Sequence, residues 1–155
     1  AAPAAAERFD DLAVLVVEDD ALASEGLSSL LQSWGCQTRQ ADGLEAALAV
    51  VAGGWRPAVV ISDFRLSDAE HGIETVRRLR LAIGSPVPAC LMSGNTNPEL
   101  IHLARQAGLT LLYKPVRPAK LRSLLRKLVA PGLRAGSIGA EIRVAIAQLD
   151  RPPAT

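Results

Sequence analysis

Strand-length apolar runs alternate with helix-length segments along most of this chain, and that alternation restricts the fold more than any other feature. Leu12–Val17 is a continuous apolar run, as a strand covered on both faces requires. A helix is expected from about Ala21 to Trp34, with Asp20 as N-cap and Gly35 as its stop. Cys36–Ala41 is a more polar strand, suited to a sheet edge. Asp42-Gly43-Leu44-Glu45 has capping-box spacing and opens a helix to about Ala52, closed by Gly53-Gly54. Pro57 precedes the strand Ala58–Ser62, Gly72–Ala82 reads as the third helix and Val87–Met92 as the fourth strand. Asn97-Pro98 pairs an N-cap with proline at the first helical position and starts a helix to Ala107, closed by Gly108. Leu109–Tyr113 is the fifth strand, and Pro118 opens a helix to about Val129. Strand–helix units joined by short loops call for a parallel sheet with helices on both faces.

At 155 residues there is room for one domain with a real core, over residues 12–130, and a short appendage. A net charge of +1 gives no reason to expect nucleic acid or an anionic membrane as a partner. The apolar runs fall far short of the roughly 20 residues that span a bilayer, so no membrane insertion is expected. Residues 1–11 begin Ala1-Ala2-Pro3-Ala4-Ala5-Ala6, lack the charged and apolar regions of a signal peptide, and read as a linker. A cytoplasmic location is the expectation. Pro131-Gly132 breaks the pattern, and Ile138, Ile142, Ala145, Ile146 and Leu149 then recur at helical spacing. Residues 131–155 are thus expected to hold a short amphipathic helix, packed on its own domain or on a second copy as a homodimer.

The polar chemistry gathers at the strand ends. Glu18-Asp19-Asp20 follows the first strand, Asp63 the third, Ser93-Gly94 the fourth and Lys114-Pro115 the fifth. Open parallel sheets bind ligands outside the carboxyl ends of their strands. Glu18, Asp19 and Asp63 brought together there would repel unless a divalent cation neutralised them. Hard oxygen ligands with room for water suit Mg2+. Asp63 is then a nucleophile for a phosphoryl group, Lys114 a second positive charge for its oxygens, and Ser93 a hydroxyl donor.

Leu15-Val16-Val17-Glu18-Asp19-Asp20, Ser62-Asp63-Phe64-Arg65-Leu66, Met92-Ser93-Gly94 and Lys114-Pro115 together resemble the receiver domain of two-component response regulators. The resemblance implies a flavodoxin-like doubly wound sheet of five parallel strands, order 2-1-3-4-5. It also implies that Asp63 is phosphorylated by a histidine kinase or a histidine phosphotransfer domain, and that the domain catalyses its own phosphorylation and dephosphorylation. Glu18, Asp19, Asp63 and the backbone carbonyl of Arg65 would hold Mg2+, Ser93 would be the switch hydroxyl, Lys114 the phosphate-sensing lysine, and Lys114-Pro115 a cis bond. The family's usual aromatic switch position is occupied here by Leu111, and the loop Leu66–Gly72 is longer than usual and lacks proline. These departures, with the Ala/Pro-rich start and the run from Lys114 to Arg122, resemble most the C-terminal receivers of hybrid sensor histidine kinases. In the implied strand order, Cys36 and Cys90 sit about three strand spacings apart, roughly 14 Å, too far for a disulfide.

Other readings compete. A phosphorylation-independent pseudo-receiver would keep the fold and lose the chemistry. An aspartyl phosphohydrolase would want a second acid two residues after its nucleophile, where Arg65 stands. A transcription factor would need a DNA-binding domain that the residues after Pro131 are too few to form. Asp20 is explained by capping alone, His71 and His102 by solvation, Arg77, Arg78 and Arg80 by a solvated helix face, and Trp34 and Trp55 by packing near helix ends. The basic last helix, with Arg117, Lys120, Arg122, Arg126 and Lys127, lies beside Lys114 and is a candidate docking face.

Overall fold

The structure, a computed structural model, describes residues 9–65, 71–94 and 97–133. Five strands, β1 (Ala13–Val17), β2 (Gln37–Ala41), β3 (Val59–Asp63), β4 (Ala89–Ser93) and β5 (Thr110–Tyr113), alternate with five helices, α1 (Ala21–Ser33), α2 (Leu44–Ala52), α3 (Gly72–Ile83), α4 (Pro98–Gln106) and α5 (Pro118–Leu133). All pairings are parallel and the sheet order is β2-β1-β3-β4-β5, the flavodoxin-like arrangement implied above.

The period-two geometry of a strand explains why the central strands are apolar without interruption. Val14, Val16, Ile61, Cys90, Met92 and Leu112 face one way, against Leu27 and Leu31 of α1 and Leu121, Leu124 and Leu125 of α5. Leu15, Val17, Val60 and Leu91 face the other way, against Ala47 and Val51 of α2, Val76 and Leu79 of α3 and Ala104 of α4. Burying each such valine or leucine contributes about 1.5–3 kcal/mol. At the β2 edge Gln37, Arg39 and Gln40 are exposed, as the polarity of that strand leads one to expect.

Strand and helix ends depart from expectation by one to four residues. β4 starts at Ala89 rather than Val87, because Pro88 has no amide to donate; its carbonyl still accepts from the Val60 amide at 2.9 Å. The helix α5 runs through Pro131 to Leu133, past its expected end near Val129. Proline there forfeits one amide hydrogen bond, and the turns before it carry the helix on. The amphipathic pattern after Ser137 lies outside the described residues. Among the described residues no helix is long and apolar enough to cross a membrane.

Packing begins ahead of β1. The Phe9 amide donates to the Trp34 carbonyl and the Asp11 amide to the Gly35 carbonyl, both at 2.8 Å. Phe9 and Trp34 lie ring to ring at 6.1 Å, and the Arg122 guanidinium of α5 sits 4.6 Å from the Trp34 ring centre. The segment before the sheet, the end of α1 and α5 are thereby tied together.

Cys36 and Cys90 are free and buried. Burial, helped by the charge of Asp10, pushes the Cys36 thiol up to about 11, and burial alone pushes Cys90 up to about 12. An ordinary thiol is about a quarter ionised at pH 8. Both cysteines are therefore expected to resist alkylation at pH 8 in the native protein and to react fully after denaturation. Intact mass after timed iodoacetamide treatment checks this, and rapid native labelling of both would contradict it.

Candidate functional site

Because all strands run the same way, their carboxyl ends share one edge, and the polar residues singled out from the sequence meet there. The Glu18 amide donates to the Ala41 carbonyl at 2.9 Å, which continues the β1–β2 ladder one residue past β1 and fixes the residue that carries the first acid. Glu18, Asp63 and Ser93 are buried, while Asp19 faces solvent. Carboxylate oxygens of Glu18, Asp19 and Asp63 all lie within 4.8 Å of one another.

One cation spans this cluster. Lys114 Nζ donates to Glu18 Oε1 at 2.9 Å and lies 3.1 Å from Asp63 Oδ1. Its backbone is held as well, since the Lys114 amide donates to the Ser93 carbonyl at 2.8 Å. The Lys114-Pro115 bond is cis, as the resemblance implied. Burial alone would lower the Lys114 pKa, but hydrogen bonds and charge from Glu18 and Asp63 outweigh it and hold the ammonium above its ordinary value. The Asp19 carboxyl is raised, first by burial and then by its hydrogen bond to Glu18 and that group's charge, despite the opposing pull of Lys114.

Asp20 stands apart from the cluster. Its side chain accepts from the Leu22 and Ala23 amides at 2.9 and 3.2 Å and caps α1. Leu111 is half-buried against the second core face, whereas Tyr113, opposite Ser93 in the β4–β5 register, is largely exposed. Asp63, Arg65, Ser93 and Lys114 line a cleft of about 530 Å³ whose far wall is Asn97, Leu100 and Leu103 at α4.

Comparison with known proteins agrees with this geometry. The sequence profile of the response regulator receiver domain matches residues 14–126. The chain belongs to the response regulator receiver domain family. It is 26% identical over 140 residues to the transcriptional regulatory protein FixJ of Bradyrhizobium diazoefficiens, covering 88% of this chain and 67% of that protein. Among solved structures, a response regulator receiver protein from Pseudomonas putida is 31% identical with a TM-score of 0.67, covering 77% of this chain and 98% of that one. The chemotaxis protein CheY4 of Vibrio cholerae, at 28% identity and a TM-score of 0.67, covers 76% of this chain and 98% of its own.

The acidic pocket of this receiver is consistent with a phosphoryl acceptor, and its three carboxylates are typical of a receiver Mg2+ site. The donor set fits such an ion: hard, anionic, close together, with Asp19 open to solvent for coordinated water.

Three residues do more in the structure than their sequence context suggests. Arg80, read as solvated, is half-buried and donates from Nε to the Val87 carbonyl at 3.0 Å, fastening the turn into β4. His71, read as a solvated loop residue, is exposed but stacks on Phe64, next to Asp63. Gly72, read only as a helix start, is where α3 meets the end of β3. A Cβ there would stand 2.5 Å from the Asp63 carbonyl oxygen and 2.7 Å from Leu91 Cδ2, and the Gly72 amide donates to the Phe64 carbonyl at 2.6 Å. Only a glycine at the head of a helix signals it, and the close approach becomes visible in three dimensions. Gly72→Ala is expected to cost about 1–3 kcal/mol, as overpacking against backbone does. Urea unfolding reads this directly, and an unchanged midpoint would contradict it.

Proposed function

We propose that this receiver accepts a phosphoryl group on Asp63 from a phosphohistidine of a histidine kinase or a histidine phosphotransfer domain. An Asp63 carboxylate oxygen attacks phosphorus, the bond from phosphorus to the donor imidazole nitrogen breaks, and the imidazole leaves with the electron pair and takes a proton from water. Glu18, Asp19, Asp63 and the backbone carbonyl of Arg65 would hold Mg2+, which when bound supplies positive charge to the carboxylates and the phosphoryl oxygens. Lys114 moves its hydrogen bond from Asp63 to a phosphoryl oxygen as the carboxylate charge passes to phosphate. Ser93, buried at the end of β4, donates its hydroxyl to the same group. The observation that carries the reading is the Lys114 ammonium held between Glu18 and Asp63 beside a third carboxylate.

Phosphorylation shifts a conformational equilibrium only by stabilising one state over the other. Ser93 and Lys114, joined through the backbone, are the groups that would do so. Leu111 replaces the usual aromatic, so the switch works through the β4–β5 ends and α4 without an aromatic hydroxyl. Beside Lys114 a cleft of about 270 Å³, lined by Ala23, Gly26, Leu27, Leu30, Pro115 and Val116, lies at α1, where Leu22 is 84% exposed. It suits an apolar helix of the donor.

The parent we favour is a hybrid sensor histidine kinase, acting in the cytoplasm. Leu111, the long loop after Asp63 and the Ala/Pro-rich start support this. A transcriptional regulator is the second reading, favoured by the likeness to FixJ over most of the chain.

Incubation with a small phosphoryl donor, with and without Mg2+, is read by intact mass. Wild type is expected to gain one phosphoryl group, about 80 Da, only with Mg2+, and Asp63→Asn to gain none while staying folded. Labelling of Asp63→Asn at the wild-type rate would overturn the acceptor assignment. Mg2+ binding without labelling would favour a pseudo-receiver.

A further inference from the structure

The chain beyond Asp63 does not leave the sheet at once. The Phe64 amide donates to the Met92 carbonyl at 2.8 Å, and the Phe64 carbonyl accepts from Gly72. Arg65 and His71 then pair as an antiparallel bridge. Residues 64–65 and 71–72 thus form a neck. Across this neck the rings of Phe64 and His71 are stacked, with centroids 5.9 Å apart and planes 16° from parallel.

The position of His71 makes this contact informative. It is the N-cap residue of α3, with extended backbone (φ −137°, ψ 156°), and its side chain makes no capping bond. N-caps favour Ser, Thr, Asp or Asn, and lacking one costs helix stability. The His71 carbonyl still serves the helix, accepting from the Thr75 amide at 3.2 Å and the Thr75 hydroxyl at 3.3 Å. The ring is thus withheld from capping and lies instead on the residue that follows Asp63. Gly72 lets the neck close tightly against Asp63, and Arg65 on the neck lines the same cleft as Asp63, Ser93 and Lys114.

We propose that His71 is a positioning residue for phosphoryl acceptance: stacked on Phe64, it clamps the neck so that Asp63 and the backbone of Arg65 keep their places relative to Glu18 and Lys114. The inference rests on the phosphoacceptor reading above and assigns His71 no contact with the reacting atoms. Its role is aromatic and steric, so a flat ring of other chemistry can replace it.

Calorimetric Mg2+ titration and the rate of phosphorylation by a small donor, each taken well below the unfolding midpoint of the variant, test this. His71→Ala is expected to weaken Mg2+ binding and slow phosphorylation by about tenfold, the scale on which outer-shell partners act on a metal site. His71→Phe is expected to restore both. Phe64→Leu, which keeps apolar bulk and loses the stacked ring, is expected to share the His71→Ala defect, and the double variant to be no worse than either single one. If His71→Ala does not fold, Phe64→Leu and His71→Phe carry the same comparison. Wild-type values in His71→Ala, failure of His71→Phe to rescue, or additive losses in the double variant would each overturn the proposal. A wild type that neither binds Mg2+ nor accepts phosphate would instead bring down the functional reading on which it stands.

Discussion

The site depends on a single ammonium. Glu18 and Asp63 are buried side by side at the ends of β1 and β3, where two carboxylates within 4.8 Å repel by roughly 3 kcal/mol at an effective dielectric near 20. Lys114 Nζ lies within 3.1 Å of both and offsets that repulsion. The arrangement is useful because it is incomplete: Asp19 adds a third carboxylate on the solvent side, so negative charge still exceeds the positive charge that Lys114 supplies. An excess of hard carboxylate oxygens of this kind suits a divalent cation, as is typical of a receiver Mg2+ site.

The sheet is what permits the crowding. Val14–Val17 and Val59–Ile61 are buried by helices on both faces, so the acids that follow them are pinned by backbone pairing rather than by their own side chains. Lys114 is pinned the same way through the Ser93 carbonyl, a single backbone hydrogen bond that ties the residue bearing the ammonium to the residue bearing the hydroxyl. Leu111 is half-buried against the second core face and Tyr113 is exposed, and Ser93 and Lys114 line one cleft with Asp63 and the α4 wall.

Much of this was legible in the residues. Short, β-branched apolar runs such as Val14-Leu15-Val16-Val17 fit strands covered on both sides, and the acids, the serine and the lysine at their ends followed in order. Less legible was what depends on contacts between segments distant in sequence. That Gly72 must lack a Cβ follows from the Asp63 carbonyl and Leu91, that His71 stacks follows from the neck, and that Arg80 serves the backbone follows from the position of Val87. Phe9 joins the fold because Trp34 and Arg122 meet beneath it, which no local pattern around Phe9 announces. Helix ends were blurred for a different reason: a proline such as Pro131 removes one donor, and the energy of one hydrogen bond does not by itself fix where a helix stops.

The proposed transfer requires that an Asp63 oxygen, and no other, takes the phosphoryl group. Reducing the phosphorylated protein with borohydride converts an aspartyl phosphate to homoserine, and peptide mass spectrometry then reads the modified position. Homoserine at residue 63, with Glu18 and Asp19 unchanged, is the expected result. Reduction at Asp19 or Glu18, or a phosphoryl group on a histidine with Asp63 intact, would contradict it.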